Sequence, residues 1–341
     1  MSEASSNEPT NLAPGRGREA QGPADIPTKG WLDIALRFWR GFNNDNLVLV
    51  AAGVAYFTLL AVFPSIVLFV SIYGLIADPA SAANHAGRLA GVLPPLASEF
   101  IFSEMGRVAS AGKGGLSLVS LISFAVAIFG AGRAAKAMFQ ALNVAYGERE
   151  DRNIIVINLL GILFTFGFLI AAVVGISMIV VLPPLLEALA LPGGAETAIS
   201  IVRWPILFFG MVAATSVLYR FGPSREPPRF RWLSLGAVAA ALLWMLVSGL
   251  ISYYASNITD FSATYGTFGA VILLQMWLWA TALVVLVGAK LNAETEHQTA
   301  EDTTTGVPEP IGRRGARVAD HLGRTRGQGA DPVKVDLSEA S

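Results

Sequence analysis

Arg133, Lys136, Gln140 and Asn143 follow one another at intervals of three or four, so a helix carries all four on one face. Two cations and two amides on a sheltered face would favour an anionic or phosphate-bearing ligand. On a helix emerging into the cytoplasm the same four would be a solvated stripe. Both readings are open, because the apolar run before them stops at Gly132. Asn158 and Gln275 lie inside otherwise apolar stretches. A lone amide there is costly unless it faces inward, to bond a neighbouring helix or to line a substrate path. Pro64 lies deep in AYFTLLAVFPSIV, where it removes one backbone hydrogen bond. It predicts a kink or hinge, with Thr58 or Ser65 near enough to satisfy freed groups.

No pattern of an enzymatic centre accompanies these residues. His85, His297 and His321 are far apart, and HExxH, GxSxG and phosphate-loop patterns are absent. Carboxylates do not cluster at metal-ligand spacing, and the chain has no cysteine. The expectation is a protein without enzymatic activity, cofactor or metal. An ATP-driven pump acting alone is disfavoured. The net charge of −1, with no block of like charge, predicts no nucleic-acid partner.

What must position these side chains is a set of helices in lipid. Hydrophobic residues make up 53% of the chain and charged ones only 14%, against about 25% in soluble domains. Apolar runs fall near 47–76, 115–132, 154–182, 199–220, 232–254 and 265–291. Each approaches the ~20 residues that carry a helix across ~30 Å of hydrocarbon. The fold class expected is therefore all-α: a polytopic membrane protein with a bundle of six transmembrane helices. Arg133, Lys136, Arg149 and Arg152 lie in one connection, and Arg220, Arg225, Arg229 and Arg231 in another, whereas 183–198 and 255–264 hold no Lys or Arg. This asymmetry predicts both termini in the cytoplasm.

Before the first run, Trp31, Ile34, Ala35, Phe38, Trp39 and Phe42 share one helical face and Asp33, Arg37 and Arg40 the other. That pattern predicts an N-terminal helix lying in the interface. Short amphipathic helices are expected in the first outer loop, after Pro94-Pro95. Three parts follow: a disordered cytoplasmic N-terminus at 1–28, a six-span membrane domain at 29–294, and a disordered cytoplasmic tail at 295–341. Lys290 and Glu294, four apart at the end of the last run, can pair. Trp277 and Trp279 lie too deep for an interfacial belt, which leaves packing.

Four ordered segments, AAGVAYFTLLAVFP (51–64), ALNVAYGEREDR (141–152), YGTFGAVILLQMWLW (265–279) and GAKLNAE (288–294), together resemble the YihY/BrkB family of bacterial inner-membrane proteins, formerly labelled ribonuclease BN. The resemblance covers the membrane unit and leaves out the tails. It implies six spans, cytoplasmic termini and a place in the bacterial inner membrane. Members are variously labelled as virulence-associated or as suspected transporters, some linked to envelope lipids. The positions that carry over are Tyr56, Pro64, Leu142, Asn143, Tyr146, Gly147, Arg152, Tyr265, Gly266, Trp277, Gly288, Asn292 and Glu294; Tyr56 thereby joins the substrate-path candidates. Lys290 departs from the family, whose members usually carry an acidic residue there.

The leading expectation is a transporter or exporter of an envelope lipid or anionic solute, with membrane lipids, including anionic headgroups, as its partners. Second comes a non-transporting membrane scaffold that supports envelope integrity, and last a membrane-bound ribonuclease.

Overall fold

In a computed structural model of the chain, residues 15–73, 95–111, 118–188, 195–257 and 268–326 are described. Nine helices lie among them: α1 (Thr28–Asn44), α2 (Leu47–Tyr73), α3 (Pro95–Ala111), α4 (Leu118–Tyr146), α5 (Ile154–Ala188), α6 (Ala195–Phe221), α7 (Phe230–Asn257), α8 (Gly269–Glu296) and the short α9 (Arg317–Asp320). The fold is all-α, as expected.

Four helical stretches are long and apolar enough to cross a membrane: Ile154–Ala171, Trp204–Phe221, Phe230–Asn257 and Gly269–Glu296. A fifth arises if α1 and the start of α2, bent by 58° at their junction, count as one broken span. The bend is made at Asn46, whose φ of +50° is tolerated by a short amide side chain. The run expected at 115–132 continues instead as one helix to Tyr146. Residues RAAKAMFQALN extend it because most are good helix formers, while Arg133, Lys136, Gln140 and Asn143 break up the apolar run.

α2 packs along α4, and α8 lies against both α2 and α7. α6 rests on α7, and α5 on α4. Small residues set the closest approaches. A side chain at Gly236 would run into the Gly288 backbone and the Asn292 amide, and one at Gly288 into Tyr219 and Ala240. The Gly130 hydrogen leaves room for the Pro64 ring, so α2 stays helical through its proline while packing on α4. Thr58 does not serve the backbone around Pro64: its hydroxyl donates to the Val54 carbonyl at 2.8 Å.

At one end, called here the polar end, lie α1, the turns 147–153 and 222–229 and the segment after α8. Part of each expected tail, Gly15–Pro27 and His297–Arg326, lies among the described residues here. Arg18, in the N-terminal segment, donates to the carbonyls of His297, Gln298 and Gly323. Arg314 bonds four carbonyls of its own segment, those of Glu309, Glu301, Ala319 and Ala300. Thr299, Thr303 and Gln298 are buried. Gly15–Pro27 and His297–Arg326 are thus held by arginine–carbonyl bonds together with a few apolar contacts, Ala20 and Ile26 against Ile34 and Trp232, and Val318 in the main core.

The face of α1 turned to the body also differs from the expected division. Asp33 is buried beside Ile34, held by Arg16 at 2.7 Å, and Arg37 reaches Glu294 at 2.8 Å. Leu32, Leu36 and Trp39 point outward, with Lys29 and Arg40 exposed nearby. Polar partners in the folded tail, not water, receive the charged face.

Candidate functional site

A cavity of about 510 Å³ lies between α2, α4, α5 and α8, with α3 across the end away from the polar end. That volume is in the range of small-molecule sites. α2 supplies Val54, Thr58, Ala61, Ser65 and Phe69, which recur every three or four residues and so form one wall. From Val54 to Phe69 that wall spans about 22 Å at 1.5 Å per residue. α4 adds Ala134, Ala135, Met138 and Phe139, α5 adds Phe164, Thr165, Phe168 and Leu169, and α8 adds Leu274, Trp277 and Leu278. Ile101, Phe102 and Met105 of α3 reach in from the far end, on a helix where the sequence predicted an amphipathic segment.

The few polar groups in this wall are largely committed elsewhere. Thr58 and Thr165 bond carbonyls of their own helices at 2.8 Å, those of Val54 and Gly161. Trp277 donates its indole N–H to Ser248 of α7 at 3.0 Å, beside a tilted pairing with Trp244. The cavity therefore offers carbon to whatever enters it. Such a lining suits an acyl chain and penalises a bare anion, which would lose its hydration without replacement.

The four-residue stripe is not gathered here. Arg133 and Gln140 are exposed on the side of α4 opposite the cavity. Lys136 donates to Asn158 of α5 at 2.7 Å, so two path candidates pair with each other. Asn143 is buried at the polar end, where its amide donates to Glu150 at 2.9 Å and accepts from the Ser224 backbone at 2.8 Å. Spacing placed these residues on one face correctly, but that face does not line the hole. Tyr56, also a path candidate, is 55% exposed and packs edge-on against Phe57. The Gln275 carbonyl oxygen is buried and has no hydrogen-bond partner among the described residues. Tyr265 and Gly266 lie outside the described residues.

Below the cavity the polar end is a lattice of ion pairs. Gly147 turns the chain out of α4 with φ +69°, a value that favours glycine. Glu150 then receives Arg152 at 2.7 Å, and Arg152 also donates to the Gly222 carbonyl at 2.9 Å. This ties the α4–α5 turn to the α6–α7 turn. Burial would raise the Glu150 pKa, but the bonds from Arg152 and Asn143 outweigh it and hold the carboxyl below its usual range.

Arg225 and Glu296, both fully buried in their side chains, meet at 2.8 Å, with Tyr146 4.6 Å from the guanidinium carbon and Thr303 bonded to the same carboxylate. Lys290 bridges Asp45 at 2.9 Å and Glu294 at 3.3 Å, so the expected Lys290–Glu294 pair forms but is shared. Asn292 bonds both Gly236 and Leu233 of α7. His297 is pushed down to about 4, by burial first and by the cations Arg37 and Lys290, against the pull of Glu294. Sequence reasoning missed Arg225, Glu296 and Asp45 as a group. Their signal, isolated charges beside long apolar runs, becomes a network only through the fold.

The chain is 27% identical over 248 residues to the ribonuclease-like protein YfkH of Bacillus subtilis, covering 71% of this chain and 88% of that one. It is 26% identical over 310 residues to a UPF0761 membrane protein of Alkalilimnicola ehrlichii, covering 88% and 67%. A UPF0761 membrane protein of Pseudoalteromonas atlantica matches at 27% over 297 residues, covering 82% and 94%. No solved structure matches. A family model described as Virulence factor BrkB matches residues 38–311, from within α1 to beyond α8. The resemblance carried by the four sequence segments thus holds over most of the chain, which is a multi-pass membrane protein belonging to the Virulence factor BrkB family.

Proposed function

We propose that this protein moves or exports a lipid of the bacterial envelope, holding an acyl chain in the cavity between α2, α4, α5 and α8, with no nucleotide site of its own. The observation that carries this reading is the cavity itself: about 510 Å³, long in the direction of the helices and lined with carbon. A free anionic solute fits the same hole poorly, since the cations of α4 face away from it. The reading includes six spans in the inner membrane. It sets the polar end in the cytoplasm, supported by Arg149, Arg220, Arg229 and Arg231 gathering there. It contains no catalytic step, so a clean preparation should leave RNA intact.

The test is transbilayer movement of a fluorescent phospholipid in proteoliposomes. Ala61→Trp or Ala134→Trp places an indole in the cavity and should abolish acceleration, whereas Leu163→Trp, at a position 63% exposed, should leave it intact. Equal activity of all three folded variants, or no acceleration by the wild type, overturns the reading.

One observation favours a non-transporting scaffold as the second reading: the polar end ties both terminal segments and two turns into one lattice. A scaffold would tolerate a filled cavity without loss of its envelope phenotype.

A further inference from the structure

The side of α4 turned away from the cavity carries Arg133 and Gln140, both exposed, with Lys136 half-buried between them. Their depth can be read from α5. Lys136 bonds Asn158, and the Gly132 carbonyl closes on Gly161, seven residues or about 10 Å along α5 from Ile154. Over that same stretch α5 exposes Ile154, Ile155, Leu159 and Leu163, each more than 60% accessible. In a multi-pass membrane protein such a face meets acyl chains. The two cations thus sit where the neighbouring surface is already apolar, and among the described residues neither is paired with a carboxylate. A cation at that level is costly unless it reaches the phosphate layer.

We propose that Arg133, Lys136 and Gln140 form a surface site for the headgroup phosphate of one anionic phospholipid, seated where α4 meets α5. Asn158 takes one of the three Lys136 N–H donors and fixes the ammonium in place, leaving the others for the ligand. Arg133 offers its planar fork to two phosphate oxygens, and Gln140, about two turns nearer the polar end than Arg133, offers an uncharged donor. The preference for an anionic lipid follows from charge. A zwitterionic head brings its own cation against Arg133 and Lys136, whereas an anionic one brings only the complement. The site stands on its own geometry and holds whether or not the cavity carries a lipid across the bilayer.

The test uses the full chain in detergent, titrated with phosphatidylglycerol or phosphatidylcholine and followed by native mass spectrometry. The wild type should bind one phosphatidylglycerol at least about tenfold more tightly than phosphatidylcholine, at about fivefold per cation near a lipid headgroup. Arg133→Gln/Lys136→Gln should abolish the preference, while Arg231→Gln, an exposed cation outside the site, should keep it. Should the double variant fail to fold, Arg133→Gln alone removes an exposed side chain and should cut the preference by about fivefold. Equal binding of both lipids to the wild type overturns the proposal, as does an undiminished preference in folded Arg133→Gln. Displacement of the bound lipid by inorganic phosphate also overturns it, because that would mark a site for a free anion.

Discussion

Removing Glu296 should leave Arg225 as an uncompensated cation in the interior. Both side chains are fully buried, and a single Arg225 nitrogen reaches both carboxylate oxygens, at 2.8 and 3.0 Å. The Arg225 Nε and second terminal nitrogen have no hydrogen-bond acceptor among the described residues, so the ring of Tyr146 and the charge of Glu296 carry the compensation. Burial acts to lower the Arg225 pKa, and Glu296 more than reverses it, so the pair holds the arginine charged. Breaking such a pair by removing one partner costs about 3–5 kcal/mol, whereas replacing both by apolar groups is near neutral or favourable. Glu296→Ala and Arg225→Met should therefore each lower the temperature at which detergent-solubilised protein loses its monodisperse peak after heating. Arg225→Met/Glu296→Leu should recover most of that loss, a coupling of about 2 kcal/mol or more. If the two single losses simply add in the double variant, or if Glu296→Ala melts with the wild type, the pair is not what holds the segment after α8.

Gly236→Ala and Gly288→Ala should each reduce folded yield sharply, since the new methyl meets backbone on the facing helix; Gly53→Ala, with open space around it, should not. Gly147→Ala should cost about 1–2 kcal/mol, read as a lowered melting temperature, because its φ of +69° must be kept for Arg152 to reach the Gly222 carbonyl. Acid should destabilise the protein in two steps. His297 has a folded value near 4 against 6.5, so its contribution is full above pH 6.5 and is lost as pH falls toward 4; Glu150, depressed below 4.5, adds a further loss under that value. A melting series from pH 7.5 to about 4 should fall throughout, and His297→Ala should flatten its upper part. Deleting residues after 294 should lower the melting temperature even though the deleted segment is mostly polar, because Glu296, Gln298 and Thr299 anchor Arg225, Arg37 and the N-terminal segment.

The apolar runs were legible because lipid imposes one rule on each: about 20 residues that need no outside partner. Expected 154–182 corresponds to Ile154–Ala188, and expected 232–254 to Phe230–Asn257. Hydropathy reads lipid and not helix, so α4 was cut at 132 where the apolar composition stops and the helix does not. The bonding within Gly15–Pro27 and His297–Arg326 shows a related limit of composition. Arg18 and Arg314 order their segments by bonding carbonyls, and composition counts an arginine as a reason for solvation. The stripe at 133–143 shows a different limit. Periodicity can say which side chains share a face of α4, but only the packing of α5 decides whether that face turns toward a cavity or toward lipid.

The four family segments divide between two duties that no spacing rule could separate. Residues 51–64 and 265–279 contribute Val54, Thr58, Ala61, Leu274, Trp277 and Leu278 to the cavity wall. Residues 141–152 and 288–294 contribute Asn143, Gly147, Glu150, Arg152, Gly288, Asn292 and Glu294 to the polar lattice and its helix contacts. α2 and α8 join the two regions physically: each lines the cavity along one stretch and enters the polar end at its terminus, α2 through the Asp45 corner and α8 through Lys290, Glu294 and Glu296. The proposed lipid movement would require the helices to move at one end while the other stays registered. The lattice supplies that fixed end, since a shift of α8 along α2 would have to break Lys290–Asp45, Glu294–Arg37 and Glu296–Arg225 together. Under the proposed lipid movement, opening would be cheapest at the α3 end, where the described α3 lining residues, Ile101, Phe102 and Met105, are all apolar.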